Sequence, residues 1–180
     1  NEGIAAGASL EHVHSQLLAT SFTPPEIEAK LAAGKKHFDQ TEKNAWSEML
    51  ARELADGSRI VALTDQYILH CPFASRFPGQ MCLYPTAPLP GFEATPDGDL
   101  TLLAKLLKTA LKSLNDVFPN APFNLGLHTA PPRDSRRSSY RWHLMITPRL
   151  TGIAGFEIGS GSWINVVSPE DAAARFRDAI

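Results

Sequence analysis

The chain has 180 residues, 43% of them apolar and 20% charged, with a formal net charge of −2. That balance suits an ordinary globular protein with one sizeable core, and it gives no electrostatic reason to expect nucleic acid or an anionic membrane as partner. No apolar run approaches the ~20 residues that a membrane span needs, so no membrane partner is expected.

Residues 1–20 read as a Gly/Ala-rich turn feeding a polar, histidine-bearing segment. Thr23-Pro24-Pro25-Glu26 then offers a cap, early prolines and an acid for a first helix, with Ile27, Lys30 and Leu31 on its face and Gly34 as its end. A second helix starts after Thr41, carries Trp46, Met49, Leu50 and Leu54 at helical spacing, and closes at Asp56-Gly57. The period then shortens to strands at 59–63 and 66–71 around Thr64-Asp65, and at 81–84. After a proline-rich loop, Asp99 caps the strongest helix, striped by Leu100, Leu103, Leu107, Ala110, Leu111 and Leu114. Strands at 123–128 and 140–146 flank a polar loop whose Arg133, Arg136 and Arg137 read as solvated rather than as phosphate contacts. A last strand is expected at 163–167, and Ser168-Pro169-Glu170-Asp171 opens a C-terminal helix. Hairpins with one long packed helix make an α+β fold with a mostly antiparallel sheet.

Cys71 and Cys82 are too few for a disulfide framework. They read as small apolar side chains in or near strands, with a disulfide or a metal site as alternatives, and reducing cytoplasm is the default compartment. The start at Asn1, without methionine or signal peptide, suggests a processed chain or a fragment.

The sharpest chemical signal is Gly7-Ala8-Ser9-Leu10-Glu11-His12-Val13-His14-Ser15-Gln16. In an extended segment His12 and His14 share a face. Gly7 lets backbone approach a ligand, and Ser9 can donate to a phosphate oxygen. One imidazole can bind a metal or orient its neighbour while the other attacks phosphorus, and Gln16 can donate to the charged oxygen that develops. Spacing alone favours a plain polar strand edge, since two histidines two apart are common. His37, His70 and His128 read as surface or structural histidines.

The whole string from Asn1 to Gln16 resembles the active-site segment of the galactose-1-phosphate uridylyltransferase family, a histidine-triad nucleotidyltransferase group that includes ADP-glucose phosphorylases. The likeness extends through Cys71-Pro72-Phe73, Leu127-His128-Thr129-Ala130-Pro131, Trp142-His143-Leu144 and the stretch from Pro148 to Gly159. It implies a histidine-triad-like antiparallel sheet with packed helices, the C-terminal half of a two-half transferase. Residues 1–22 would end the first half, 23–57 would form a helical connector, and 58–180 would make the second half. It further implies His14 as the nucleophile, Gln16 as its catalytic partner, His12 as a zinc ligand, and Asn1, Gly7, Ser9 and Glu157 as substrate contacts. Glu157 would meet a sugar hydroxyl, against the plain reading of a solvated loop carboxylate.

The activity implied moves a UMP group between UDP-hexose and hexose-1-phosphate through a covalent nucleotidyl-histidine, with a homodimer by analogy. The alternatives are an ADP-glucose or dinucleotide phosphorylase, or a non-catalytic nucleotide-binding relative. Gln16, where triad hydrolases carry a third histidine, argues against a hydrolase. No organic cofactor is expected. Zinc at His12 would need further ligands from outside this chain. A second zinc site of relatives is expected to be lost, since Asn44 and Ser47 stand for its Cys-x-x-Cys, Pro88 for a histidine, and Arg141-Trp142-His143 for His-Trp-His. Packing around Trp46 is expected to replace it.

Overall fold

A computed structural model describes every residue of the chain except Glu11 and Val13. Five strands form one antiparallel sheet: β1 (Ile60–Leu63), β2 (Tyr67–His70), β3 (Met81–Pro85), β4 (Phe123–His128) and β5 (His143–Pro148), in the order β1-β2-β3-β5-β4. Alternation sorts their side chains to two faces. Tyr67, Leu69, Met81, Leu83 and Ile146 enter the main core with Leu103, Leu106, Ala110 and Leu114 of α3 (Asp97–Val117) and Phe176 of α5 (Pro169–Asp178). Ile68, Cys82 and Tyr84 point the other way, onto Trp46, Met49 and Leu50 of α2 (Ala45–Asp56). Helices cover both faces, so β2 and β3 are buried at every residue and read as continuous apolar runs rather than alternating ones.

Most expected elements form, and the differences have local causes. α1 runs Pro25–Thr41, straight through Gly34. A Cβ on that glycine would stand 2.7 Å from the Ser139 carbonyl oxygen, so Gly34 serves close packing and not termination. α3 starts at Asp97 behind Pro96, which places Asp99 in the first turn instead of at the cap. Leu106 joins the buried stripe, while Leu100 is exposed. β5 begins at His143 and not at 140, because the 3-10 turn Arg137–Ser139 and its cap occupy the approach. Residues 163–167 form no strand; Asn165 instead ties the segment to the Ser75 hydroxyl at 2.9 Å. Glu157 lies in a short helix, α4 (Gly155–Ser160), and not in a loop.

The remaining caps follow the expected chemistry. Asn44 accepts from the Ser47 N–H at 3.1 Å, Gly57 ends α2 at φ 73°, and Ser168 accepts from Asp171 N at 3.0 Å. Cys71 and Cys82 are buried free thiols, as the apolar reading expected.

Candidate active site

The N-terminal segment lies across the outer strand β4. Glu2 exchanges both backbone hydrogen bonds with Phe123 at 3.0 Å. A 3-10 turn, Ile4–Ala6, follows and ends at Gly7, whose φ of 77° favours glycine, with open space where a side chain would project. Asn124 of β4 donates from one carboxamide nitrogen to Asn1 Oδ1 at 2.8 Å and to the Ala6 carbonyl at 2.7 Å. The Asn1 amino group reaches the His14 carbonyl at 3.3 Å, which closes the loop on itself.

Asn1, His14 and Gln16 line one cavity of about 540 Å3, walled by Phe123, Leu125 and Leu127 of β4. His14 Nδ1 lies 3.2 Å from the His12 carbonyl oxygen. A carbonyl only accepts, so Nδ1 carries the hydrogen, and in the neutral ring the lone pair is on Nε2. That is the state an imidazole nucleophile needs. Ser9 and Gly7 share the turn but are not in the cavity wall. Glu157 is not in the wall either; backbone N–H groups, its own first and then that of Ala154 at 3.0 Å, donate to its carboxylate at the start of α4 and hold its pKa below the usual range.

Zinc does not fit the donors at hand. His12 is exposed, its ring 6.3 Å from that of His14, and no group of three metal-ligand side chains comes together among the described residues. At the second position, Arg141 is buried and donates to Ser47 Oγ at 2.9 Å and to the Pro85 carbonyl at 3.4 Å. A guanidinium has no lone pair to offer a metal, so this set does not fit zinc either. Trp46 packs beside it, its ring 5.3 Å from both Tyr140 and His143 and 5.9 Å from Tyr84.

Two of the three loop arginines are paired: Arg136 with Glu28 and Asp134, Arg137 with Glu93. The site residue that sequence reading missed is Asn124. A single polar residue in a strand carries no periodic signal, and its role shows only when the distant N-terminal turn is laid beside it.

A family model described as "Domain of unknown function (DUF4921)" matches residues 3–180. An ADP-glucose phosphorylase of Arabidopsis thaliana is 32% identical over 99% of this chain and 50% of its own length. A galactose-1-phosphate uridylyltransferase of Thermotoga maritima is 29% identical over 99% of this chain and 58% of its own. The chain thus spans about half the length of the curated relatives it matches. The crystal structure of an Arabidopsis thaliana ADP-glucose phosphorylase with bound ADP-glucose superposes with a TM-score of 0.90 at 31% identity, over 100% of this chain and 57% of that one. A Hit-like protein from Bartonella henselae, 18% identical with a TM-score of 0.52 over 73% of this chain and 95% of its own, shares the fold.

Proposed function

The chain belongs to the DUF4921 family, related to the galactose-1-phosphate uridylyltransferases, and we propose that it supplies the nucleophile of a nucleotidyl transfer from a nucleotide sugar. The single observation that carries this reading is His14, fixed by the His12 carbonyl with its lone pair on Nε2, in a cavity shared with Asn1 and Gln16. Nε2 attacks the α-phosphorus of the nucleotide sugar, the bond to the departing oxygen breaks, and hexose-1-phosphate leaves. A second hexose-1-phosphate, or inorganic phosphate, then attacks the same phosphorus and releases His14. Gln16 donates to the non-bridging oxygen as charge develops there. Ser9 and the Gly7 backbone contact phosphate, Asn1 holds the loop against the substrate, and Glu157 meets a sugar hydroxyl. No step passes through zinc. The protein works as a cytoplasmic homodimer.

The favoured donor is UDP-hexose. A second reading, an adenylyl donor such as ADP-glucose, rests on the 32% identity to an ADP-glucose phosphorylase. Isotope exchange tests the double displacement. The complete protein, given a nucleotide sugar and labelled hexose-1-phosphate alone, is expected to move label into the nucleotide sugar. Label that stays in the sugar phosphate with both UDP-glucose and ADP-glucose would count against the covalent route.

A further inference from the structure

Arg141 carries a charge that its surroundings leave unbalanced. It lies just before β5, only 4% exposed, and its guanidinium donates to Ser47 Oγ at 2.9 Å and to the Pro85 carbonyl at 3.4 Å. Both acceptors are neutral. Among the described residues no carboxylate lies within ion-pair distance, and the Tyr84 phenol beside it is held protonated by burial. Arg59 and Arg136, both more exposed, each meet two carboxylates. Burial pushes the Arg141 guanidinium down from its ordinary value, yet a guanidinium stays charged in a protein.

A second positive pole faces it. Asn44 caps α2 by accepting from the Ser47 N–H at 3.1 Å, and Ser47 in that first turn is the residue Arg141 touches. A helix start carries roughly half a positive charge and attracts anions, so a cation there is misplaced. Glu48 belongs to the same turn, but its carboxylate is engaged by His37 at 2.7 Å and Lys43 at 3.3 Å. The unmet hydrogen bonds nearby ask for the same partner. Arg141 Nε, the Trp46 indole nitrogen and the Tyr140 hydroxyl are buried and unpartnered among the described residues, and each can donate.

A water would satisfy donors and bring no charge, whereas an anion does both. The rings of Trp46, Tyr84, Tyr140 and His143 pack around this junction at centroid separations of 4.8 to 5.9 Å, which suits a single atom better than a phosphate or carboxylate. We propose that Arg141 and the first turn of α2 form a buried site for a monatomic anion of the halide class, which bridges the guanidinium to the helix start and locks α2 onto β5. The fixed charge is the cation, so the missing member is negative and no metal is involved. This inference is independent of the transfer reading.

Thermal midpoints of the complete protein in sodium chloride and in sodium gluconate, at matched ionic strength, test it. Gluconate is too large for the site, and matched ionic strength equalises general screening. Chloride is expected to raise the midpoint by about 2–4 °C for each tenfold increase above its dissociation constant, and Arg141→Met is expected to lose that dependence. Equal midpoints in the two salts overturn the inference, as does a chloride effect that persists in folded Arg141→Met. If Arg141→Met does not fold, crystals of the parent grown in bromide decide the matter. An anomalous peak in contact with Arg141 supports the site, and a water or no peak at that position overturns it.

Discussion

Asn124 in the outer strand β4 holds Asn1 at 2.8 Å through the same carboxamide nitrogen that reaches the Ala6 carbonyl at 2.7 Å. One amide thereby fixes both ends of the turn that leads to Gly7 and His14. Asn124→Ala frees that turn, and a misplacement of about 1 Å at a reacting group can cost about 10²-fold in rate. Asn124→Asp keeps the shape but cannot donate, and is expected to lose transfer to a similar degree. Steady-state assays of the complete protein, with thermal midpoints as the folding control, decide it; an Asp variant at parental rate contradicts the positioning role.

Gly34→Ala sets helix propensity against packing. Alanine favours a helix interior by about 1 kcal/mol. The new Cβ would stand 2.7 Å from the Ser139 carbonyl oxygen, a backbone atom that cannot swing aside. Such overpacking costs about 1–3 kcal/mol, so the variant is expected to be less stable on balance. Urea denaturation reads the sign directly, and a raised midpoint would show that α1 and the 137–139 turn have room to separate.

How far the sequence was legible follows from where each signal resides. Among the described residues, short apolar runs located all five strands, and helical spacing together with cap chemistry located four of the five helices, because burial on a sheet face or helix stripe leaves a periodic trace and helix ends need particular residues. Gly34 misled because glycine marks both helix ends and close approaches, and only the facing turn tells them apart. The 163–167 segment has strand-like composition, but Asn165 ties it to Ser75 as a loop. At the site, the His-x-His-x-Gln spacing was readable. The tautomer of His14, the Asn124 clamp and the placing of Arg141 against the start of α2 were not, since each depends on contacts made only in the fold.

Burial holds His70 and His128 each down to about 4, and His143 well below its ordinary value, with nearby Arg59 or Lys30 adding to the effect. A histidine with a lowered folded-state pKa is protonated first in the unfolded chain. Stability is then fully present above about pH 6.5 and falls as pH drops toward 4, by up to about 1.4 kcal/mol per pH unit for each such group. Denaturant midpoints measured from pH 7 to pH 4.5 are expected to decline, with a shallower slope in His70→Phe. A flat profile contradicts the buried neutral state.

Glu53 is 5% exposed and accepts from Arg59 Nε at 2.7 Å, while the more exposed Glu170 accepts from Nη1 of the same guanidinium at 2.7 Å. Removing the buried partner leaves the Nε edge of a mostly buried guanidinium unpaired, with only the exposed Glu170 to offset it, so Glu53→Ala is expected to cost up to about 3 kcal/mol. Glu170→Ala leaves a solvated arm and should cost under about 1 kcal/mol. Urea denaturation of the two variants should rank them in that order, and equal losses would mean that burial does not set the strength of this network.

The most direct test of the central claim is the intact mass of the complete protein after brief exposure to UDP-glucose and, separately, to ADP-glucose. The expected result is a gain of one nucleotidyl group (a nucleoside monophosphate less water) that is absent from His14→Ala, and the base attached identifies the donor. A protein that turns over nucleotide sugar without any adduct, or a His14→Ala variant that still acquires one, would contradict His14 as the nucleophile.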